Sequence, residues 1–196
     1  METLNVMIVG VGGQGTLLTS RVIGSVGIGE GHDVKVSEVH GMSQRGGSVV
    51  TYVRIGDKIH SPIIEKGQAD VIIAFEELEA LRWFDYIKDN GLLIINNQKI
   101  NPMPVIIGKV KYPDQIIDRI KANFNNVLVI PALSIAEECG NIKAVNMVLV
   151  GVLANYLEID KNLWIDALKL NVPQKFLELN LQAFERGYNG GIDYGK

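Results

Sequence analysis

Leu4-Asn5-Val6-Met7-Ile8-Val9-Gly10 runs straight into Gly10-Val11-Gly12-Gly13-Gln14-Gly15, and from Thr16 to Ile23 apolar residues return at helical spacing. A short, β-rich apolar stretch with little alternation is a strand buried on both faces. The junction therefore reads as strand, glycine turn, helix, which is how an open parallel α/β sheet begins. Gly10, Gly12 and Gly15 fit the G-x-G-x-x-G spacing in the setting that this spacing requires. The N–H groups of such a turn and of the helix behind it suit a phosphate or pyrophosphate. The same glycines equally serve a tight turn with close helix packing and no ligand. Gly24, Gly27, Gly29 and Gly31 weaken the end of the helix and point to close packing or an early stop.

The remaining chain keeps the α/β alternation. Asp33 to Val39 forms a second strand, and Ser48 to Ile55 alternates polar and apolar before the turn signal Ile55-Gly56-Asp57-Lys58 leads into Ile59-His60-Ser61-Pro62. That pattern predicts a β-hairpin, hence an antiparallel portion in the sheet. Asp70 to Phe75 is a further buried strand. Glu76 to Ile87 is a helix with acids at its start, Gly91 ends that unit, and Leu92 to Asn96 is a strand with a polar loop after it. Pro113 to Phe124 reads as a helix and Asn126 to Ile130 as a strand. Beyond Pro131 the pattern is helical, over Ala132–Cys139, Ile142–Leu157, Leu163–Leu170 and Gln174–Arg186, and the polar tail from Gly187 to Lys196 is expected to lack order. The expected architecture is a three-layer, Rossmann-like α/β fold with a mixed sheet, mostly parallel with one antiparallel hairpin. It forms one domain over 1–196, an α/β core over 1–131 and a C-terminal helical extension over 132–196.

A second feature competes with the glycine turn for the functional role. Glu38-Val39-His40-Gly41-Met42-Ser43-Gln44-Arg45-Gly46-Gly47-Ser48 is too polar to be strand and offers a carboxylate, an imidazole, an amide, hydroxyls and a guanidinium between two buried strands. Arg45 can hold a carboxylate or phosphate by two parallel hydrogen bonds, with Gly46 and Gly47 leaving the approach open. A salt bridge to a neighbouring acid is the alternative. His40 can titrate near neutral pH or simply cap the loop. Glu38 lies near the end of the second strand, where a dinucleotide fold carries its ribose-binding acid, so the residues alone also fit a free-standing NAD-binding oxidoreductase.

Several classes are disfavoured. The net charge of -3 without a basic run gives no pull toward nucleic acid or an anionic membrane. Cys139 is the only cysteine, so the chain alone holds neither a disulfide nor a cysteine-ligated cluster. His32, His40 and His60 lack metal-ligand spacing, and no metal is expected. There is no G-x-S-x-G elbow or P-loop lysine–serine pair. Glu76, Glu77, Asp85 and Asp89 read as solvated helix faces, and Cys139 as inert. The apolar run from Val145 to Leu157, broken by Asn146 and Asn155, is short of a membrane span. With no signal-peptide pattern at the start, a cytoplasmic protein is expected.

Taken together, the glycine turn Gly10–Gly15 and the loop Glu38–Ser48 resemble the γ-type module of the 2-oxoacid:ferredoxin oxidoreductases, more narrowly that of the indolepyruvate type. The helical tail with Glu178, Asn180, Ala183, Phe184 and Gly187 extends the resemblance over essentially the whole chain. The resemblance implies a subunit, inactive alone, of an enzyme that oxidatively decarboxylates arylpyruvates to acyl-CoA and passes electrons to ferredoxin. Thiamine diphosphate and iron–sulfur clusters would lie on a larger α subunit, with coenzyme A as co-substrate. It also implies that Glu38 is no ribose acid. Gly10, Gly12, Gly13, Gln14, Gly15, Glu38, His40, Met42, Ser43, Gln44, Arg45, Gly46 and Gly47 would instead form a face meeting the partner near its active site, and the isolated chain could pair with itself through that face.

Overall fold

The computed structural model describes residues 2–41 and 47–190. In chain order these form β1 (Leu4–Val11), α1 (Thr16–Gly29), β2 (Asp33–His40), β3 (Ser48–Gly56), β4 (Ala69–Ala74), α2 (Glu77–Arg82), a 3₁₀ turn (Phe84–Tyr86), β5 (Ile87–Asn96), α3 (Met103–Ile106) and α4 (Ile116–Lys121). They continue as β6 (Val127–Ile130), α5 (Ala132–Glu138), a 3₁₀ turn (Ile142–Ala144), α6 (Val145–Leu157), α7 (Lys161–Asn171) and α8 (Gln174–Gly190). The strands make one sheet in the order β2-β3-β1-β4-β5-β6. β1, β4, β5 and β6 run parallel, and β3 is antiparallel to both β1 and β2. The sheet is thus mixed and mostly parallel, as expected.

The hairpin is not where the turn signal puts it. β3 pairs with β1 from Leu4↔Ile55 to Val11↔Ser48 and with β2 from Asp33↔Gly56 to His40↔Val49, while residues 57–66 contain no strand. Both edges of β3 are taken up by those long registers, and Pro62 could not donate to a third. The segment after β3 is instead held by a side chain: Arg54 donates to the Ser61 and Ile63 carbonyl oxygens and to Asn5 Oδ1. A second correction concerns Gly91, which lies inside β5 rather than at a unit's end. A Cβ there would sit 2.8 Å from Ile87 Cδ1 and 3.0 Å from the Ala69 carbonyl oxygen, where the β4–β5 register shifts. The helix read over 76–87 is accordingly cut to α2 and the 3₁₀ turn. α1, by contrast, continues past Gly24 and Gly27 to Gly29.

Strands buried on both faces explain the missing alternation. Val6 and Ile8 of β1, Val71 and Ile73 of β4, and Leu92 and Ile94 of β5 share a core with α1, α5, α6, α7 and α8. The intervening Met7, Val9, Ile72, Ala74, Leu93 and Ile95 pack with Ala80 of α2 and Ile116 and Ile120 of α4. The helices after Pro131 therefore lie on the α1 side of the sheet. α6 is buried continuously from Val145 to Ala154. Against it runs α8, which extends through Gly187 to Gly190 where the sequence suggests a polar tail; residues 191–196 lie outside the described residues. Among the described residues no helix is long and apolar enough to cross a membrane.

Candidate functional site

The carboxyl end of β1 delivers the glycine turn to the point where the chain leaves in one direction through α1 to β2 and later fills the other side of the sheet with β4. Crevices at such points are where open α/β sheets take ligands. Gly13 and Gly15 have φ of +100° and +87°, a region that side chains with a Cβ rarely adopt. Gln14 holds the turn in place: its Oε1 accepts the Val11 N–H at 2.7 Å and its Nε2 donates to the Phe75 carbonyl at 3.1 Å, at the end of β4. The Gly12 N–H donates to the Gly47 carbonyl at 2.9 Å, which joins the turn to the loop entering β3.

A cleft opens on each side. One, of about 560 Å³, is lined by Gly13, Gly15, Leu18, Gln98, Lys143 and Asn146 among others. The other, of about 420 Å³, lies between the turn, Thr16, Glu38, His40 and Val49. Glu38 Oε2 accepts from the Thr16 hydroxyl at 3.4 Å and the Thr51 hydroxyl at 3.3 Å, a long and weak pair of bonds that ties β2, β3 and α1 together. His40 is exposed, with Nδ1 3.2 Å from the Gly41 carbonyl oxygen. Of the residues singled out from the sequence, Gly12, Gly13, Gln14, Gly15, Glu38, His40 and Gly47 gather around the turn. Gly10 sits beneath it, where a Cβ would come within 2.9 Å of Gln14 Oε1. Met42, Ser43, Gln44, Arg45 and Gly46 lie outside the described residues.

The acids that follow β4 are a correction. Glu76 and Glu77 read as a solvated face, yet both are buried, as is Glu79; Asp85 is exposed. Glu76 Oε2 accepts the Glu79 N–H at 3.0 Å and so caps α2, while Oε1 accepts from the Ile100 N–H at 3.0 Å and from the Tyr112 hydroxyl. One carboxylate thus fastens both ends of the segment from Ile100 to Tyr112, whose Met103, Ile106, Ile107 and Val110 are exposed. The bonds from Ile100 and Tyr112 hold that segment against Glu76, whereas Glu79 is bonded to Ser48 of β3 and to Arg82. Burial raises the Glu77 carboxyl above the ordinary range, with Lys99 at 3.8 Å opposing. Burial also raises Glu79, against the pull of the Ser48 hydroxyl and of Arg82 at 3.1 Å. The Tyr112 hydroxyl is held well above its usual value by burial first and by its bond to Glu76 second. Asn146, at the edge of the first cleft, was visible in the sequence only as a break in an apolar run.

The arrangement is a doubly wound mixed α/β sheet with its glycine turn between two open clefts, and no hydroxyl or thiol is hydrogen-bonded to a histidine among the described residues. Nor, among those residues, do three potential metal ligands converge. The chain belongs to the pyruvate ferredoxin/flavodoxin oxidoreductase family, which matches it over residues 5–190. It is 42% identical over 193 residues to the indolepyruvate oxidoreductase subunit IorB of Archaeoglobus fulgidus, covering 96% of each chain. In fold it is similar to the gamma subunit of a keto/oxoacid ferredoxin oxidoreductase from Geobacter sulfurreducens, with a TM-score of 0.73 at 21% identity over 97% of this chain and 99% of that one. The same fold, again with a TM-score of 0.73 and at 20% identity over 98% of this chain, makes up 32% of a chain of the 2-oxoglutarate:ferredoxin oxidoreductase from Magnetococcus marinus. That enzyme was solved with 2-oxoglutarate, coenzyme A and succinyl-CoA bound.

Proposed function

We propose that the chain is the small subunit of an indolepyruvate-type 2-oxoacid:ferredoxin oxidoreductase, acting as one unit from residue 1 to 196 in the cytoplasm. A larger α subunit carries thiamine diphosphate and the iron–sulfur clusters. The complex converts an arylpyruvate and coenzyme A into acyl-CoA and carbon dioxide, and its two electrons leave on ferredoxin. The observation that carries the reading is the state of the two clefts. Each is open and has a large aliphatic side chain exposed at its rim, Ile142 at 56% on one and Leu17 at 45% on the other. Exposed apolar groups around an incomplete polar site mark a surface meant to be covered by protein. The subunit relative at 42% identity supports the substrate class.

On this reading Gly10, Gly12, Gly13, Gln14 and Gly15 shape the floor of a half-site, and Glu38, His40, Met42, Ser43, Gln44, Arg45, Gly46 and Gly47 form its wall toward the partner's active site. The isolated chain is inactive and self-associates through that face. The competing NAD-binding reading is disfavoured by the sheet itself. β3 occupies the place beside β1 that a dinucleotide fold gives to β2. Titration of the purified chain with NADH separates the two: no saturable fluorescence change is expected, and micromolar binding would revive the dehydrogenase. In the reconstituted complex, Arg45→Ala is expected to lower arylpyruvate turnover; normal assembly with normal turnover would remove the loop from the active site.

A further inference from the structure

The segment between β5 and α4 exposes apolar surface that its own fold leaves uncovered. Met103, Ile106, Ile107 and Val110 are 62%, 63%, 55% and 55% exposed, and no residue of α3 is buried. Single apolar side chains on a surface are ordinary, whereas four within eight residues form a patch. The patch has a fixed shape. The Val105 and Ile106 N–H groups donate to the Pro102 carbonyl, Ile107 to that of Met103 and Gly108 to that of Val105, at 2.9 to 3.1 Å. Gly108, at φ +73°, then turns the chain so that the Lys109 and Val110 N–H groups reach the Pro104 carbonyl. At the two ends the Ile100 N–H and the Tyr112 hydroxyl donate to one buried carboxylate, that of Glu76. Lys109 and Lys111 are exposed beside the apolar residues, and no acid occurs from residue 99 to residue 113.

We propose that this segment is a preformed docking element for the larger subunit, and that it seats in an apolar depression with acidic groups at its rim. The acidic rim follows from the lysines, which are the only charges the segment presents from residue 99 to residue 113. A second copy of the chain is the poorer occupant. A two-fold contact sets the same patch against itself, which would bring Lys109 and Lys111 toward their own copies. A transient electron carrier is poorer too, because such encounters bury little surface, whereas permanent subunit contacts are the more apolar ones. Gln98 and Ile100, at the start of the segment, also line the first cleft. The docking element therefore stands at the same end of the sheet as the glycine turn, where a partner covering that face meets it. The inference rests on the proposed small-subunit role and adds which element carries the attachment.

The test uses the complex of the full chain with its larger subunit, purified under anaerobic conditions. Benzoylphenylalanine placed at Met103 is expected to cross-link to the larger subunit on irradiation. Cross-linking to a second copy or to ferredoxin instead, or to no protein, would overturn the proposal. Serial dilution of the complex, with the assembled fraction read by mass photometry, gives the subunit Kd. Ile106→Ser combined with Ile107→Ser is expected to raise that Kd by about tenfold or more, since two aliphatic side chains lose their burial. Lys109→Glu combined with Lys111→Glu is expected to slow association by about tenfold and to abolish its acceleration at low salt. All four positions are exposed, so the urea midpoint of each isolated double variant is expected to match that of the parent, which separates lost docking from lost folding. An unchanged Kd in both folded variants overturns the proposal. If no larger subunit co-purifies, the proposed function and this inference fall together; a larger subunit that binds both variants as it binds the parent removes only the docking assignment.

Discussion

Glu77 shows how the position of one carboxyl becomes a stability statement. Its pKa is raised in the folded chain, so the native state holds its proton to higher pH than the unfolded state does. The favourable contribution of that proton is complete below the unfolded-state value and is lost as pH rises through the folded one. Glu77→Gln is therefore expected to be at least as stable as the parent at pH 7, with the difference closing below pH of about 4.3. Urea unfolding at several pH values measures it, and a deficit that grows toward neutral pH would mean that Lys99 outweighs burial. Gly15→Ala forces a side chain to φ +87° against Asn146 and is expected to cost about 1–3 kcal/mol, read as a lower urea midpoint at unchanged slope. At this scale the sequence was legible where the backbone dictates the residue, as at Gly13 and Gly15. It was illegible where burial depends on a distant segment: nothing local to Glu76 and Glu77 shows that residues 98–112 will fold over them. Asn146 is legible as a polar residue on a helix with no wet face, but its place beside the glycine turn follows only from its contact with Gly15.

Two elements depend on single groups. α6 and α8 touch backbone to backbone: a Cβ on Gly151 would lie 2.1 Å from the Phe184 carbonyl oxygen, and one on Gly187 would lie 2.0 Å from that of Val148. Alanine at either position must push the helices apart, at a cost of about 1–3 kcal/mol or more. The double variant should fall short of the sum of the singles, because the first substitution has already opened the crossing. The segment from Ile100 to Tyr112 depends on Glu76. Tyr112→Phe deletes a hydrogen bond to a buried carboxylate, worth about 1.5–3 kcal/mol, and is expected to speed amide exchange at Ile100 before that of the β4 core. Equal acceleration in both places would show that the bond holds the whole fold and not the segment. The alternation from Ser48 to Ile55 made β3 readable as a strand, but its partners depend on which neighbours are free. With β2 displaced from β1, the turn signal at Gly56 ends the strand without starting a hairpin. β4 and β6 were readable because strands buried on both faces are continuous apolar runs, whereas Gly91 looked like a stop because an interior glycine and a terminal one share the same local sequence.

At one end of its sheet the molecule presents two clefts beside a glycine turn, aliphatic side chains at their rims, and a tethered segment with four exposed apolar residues. Its class was legible because the turn and the polar loop after β2 occur together. What the sequence concealed is that the face has two compartments, one lined by the Glu38 carboxylate and one by Lys143 and side-chain amides. The central claim is that the second half of the site belongs to another polypeptide. Affinity purification of the tagged chain from its native cell, under anaerobic conditions, tests it most directly. The account predicts a larger subunit in fixed stoichiometry, containing thiamine diphosphate and iron, and a complex that reduces a viologen dye only when an arylpyruvate and coenzyme A are both present. A chain that emerges alone, or with a partner lacking both thiamine and iron, would contradict it.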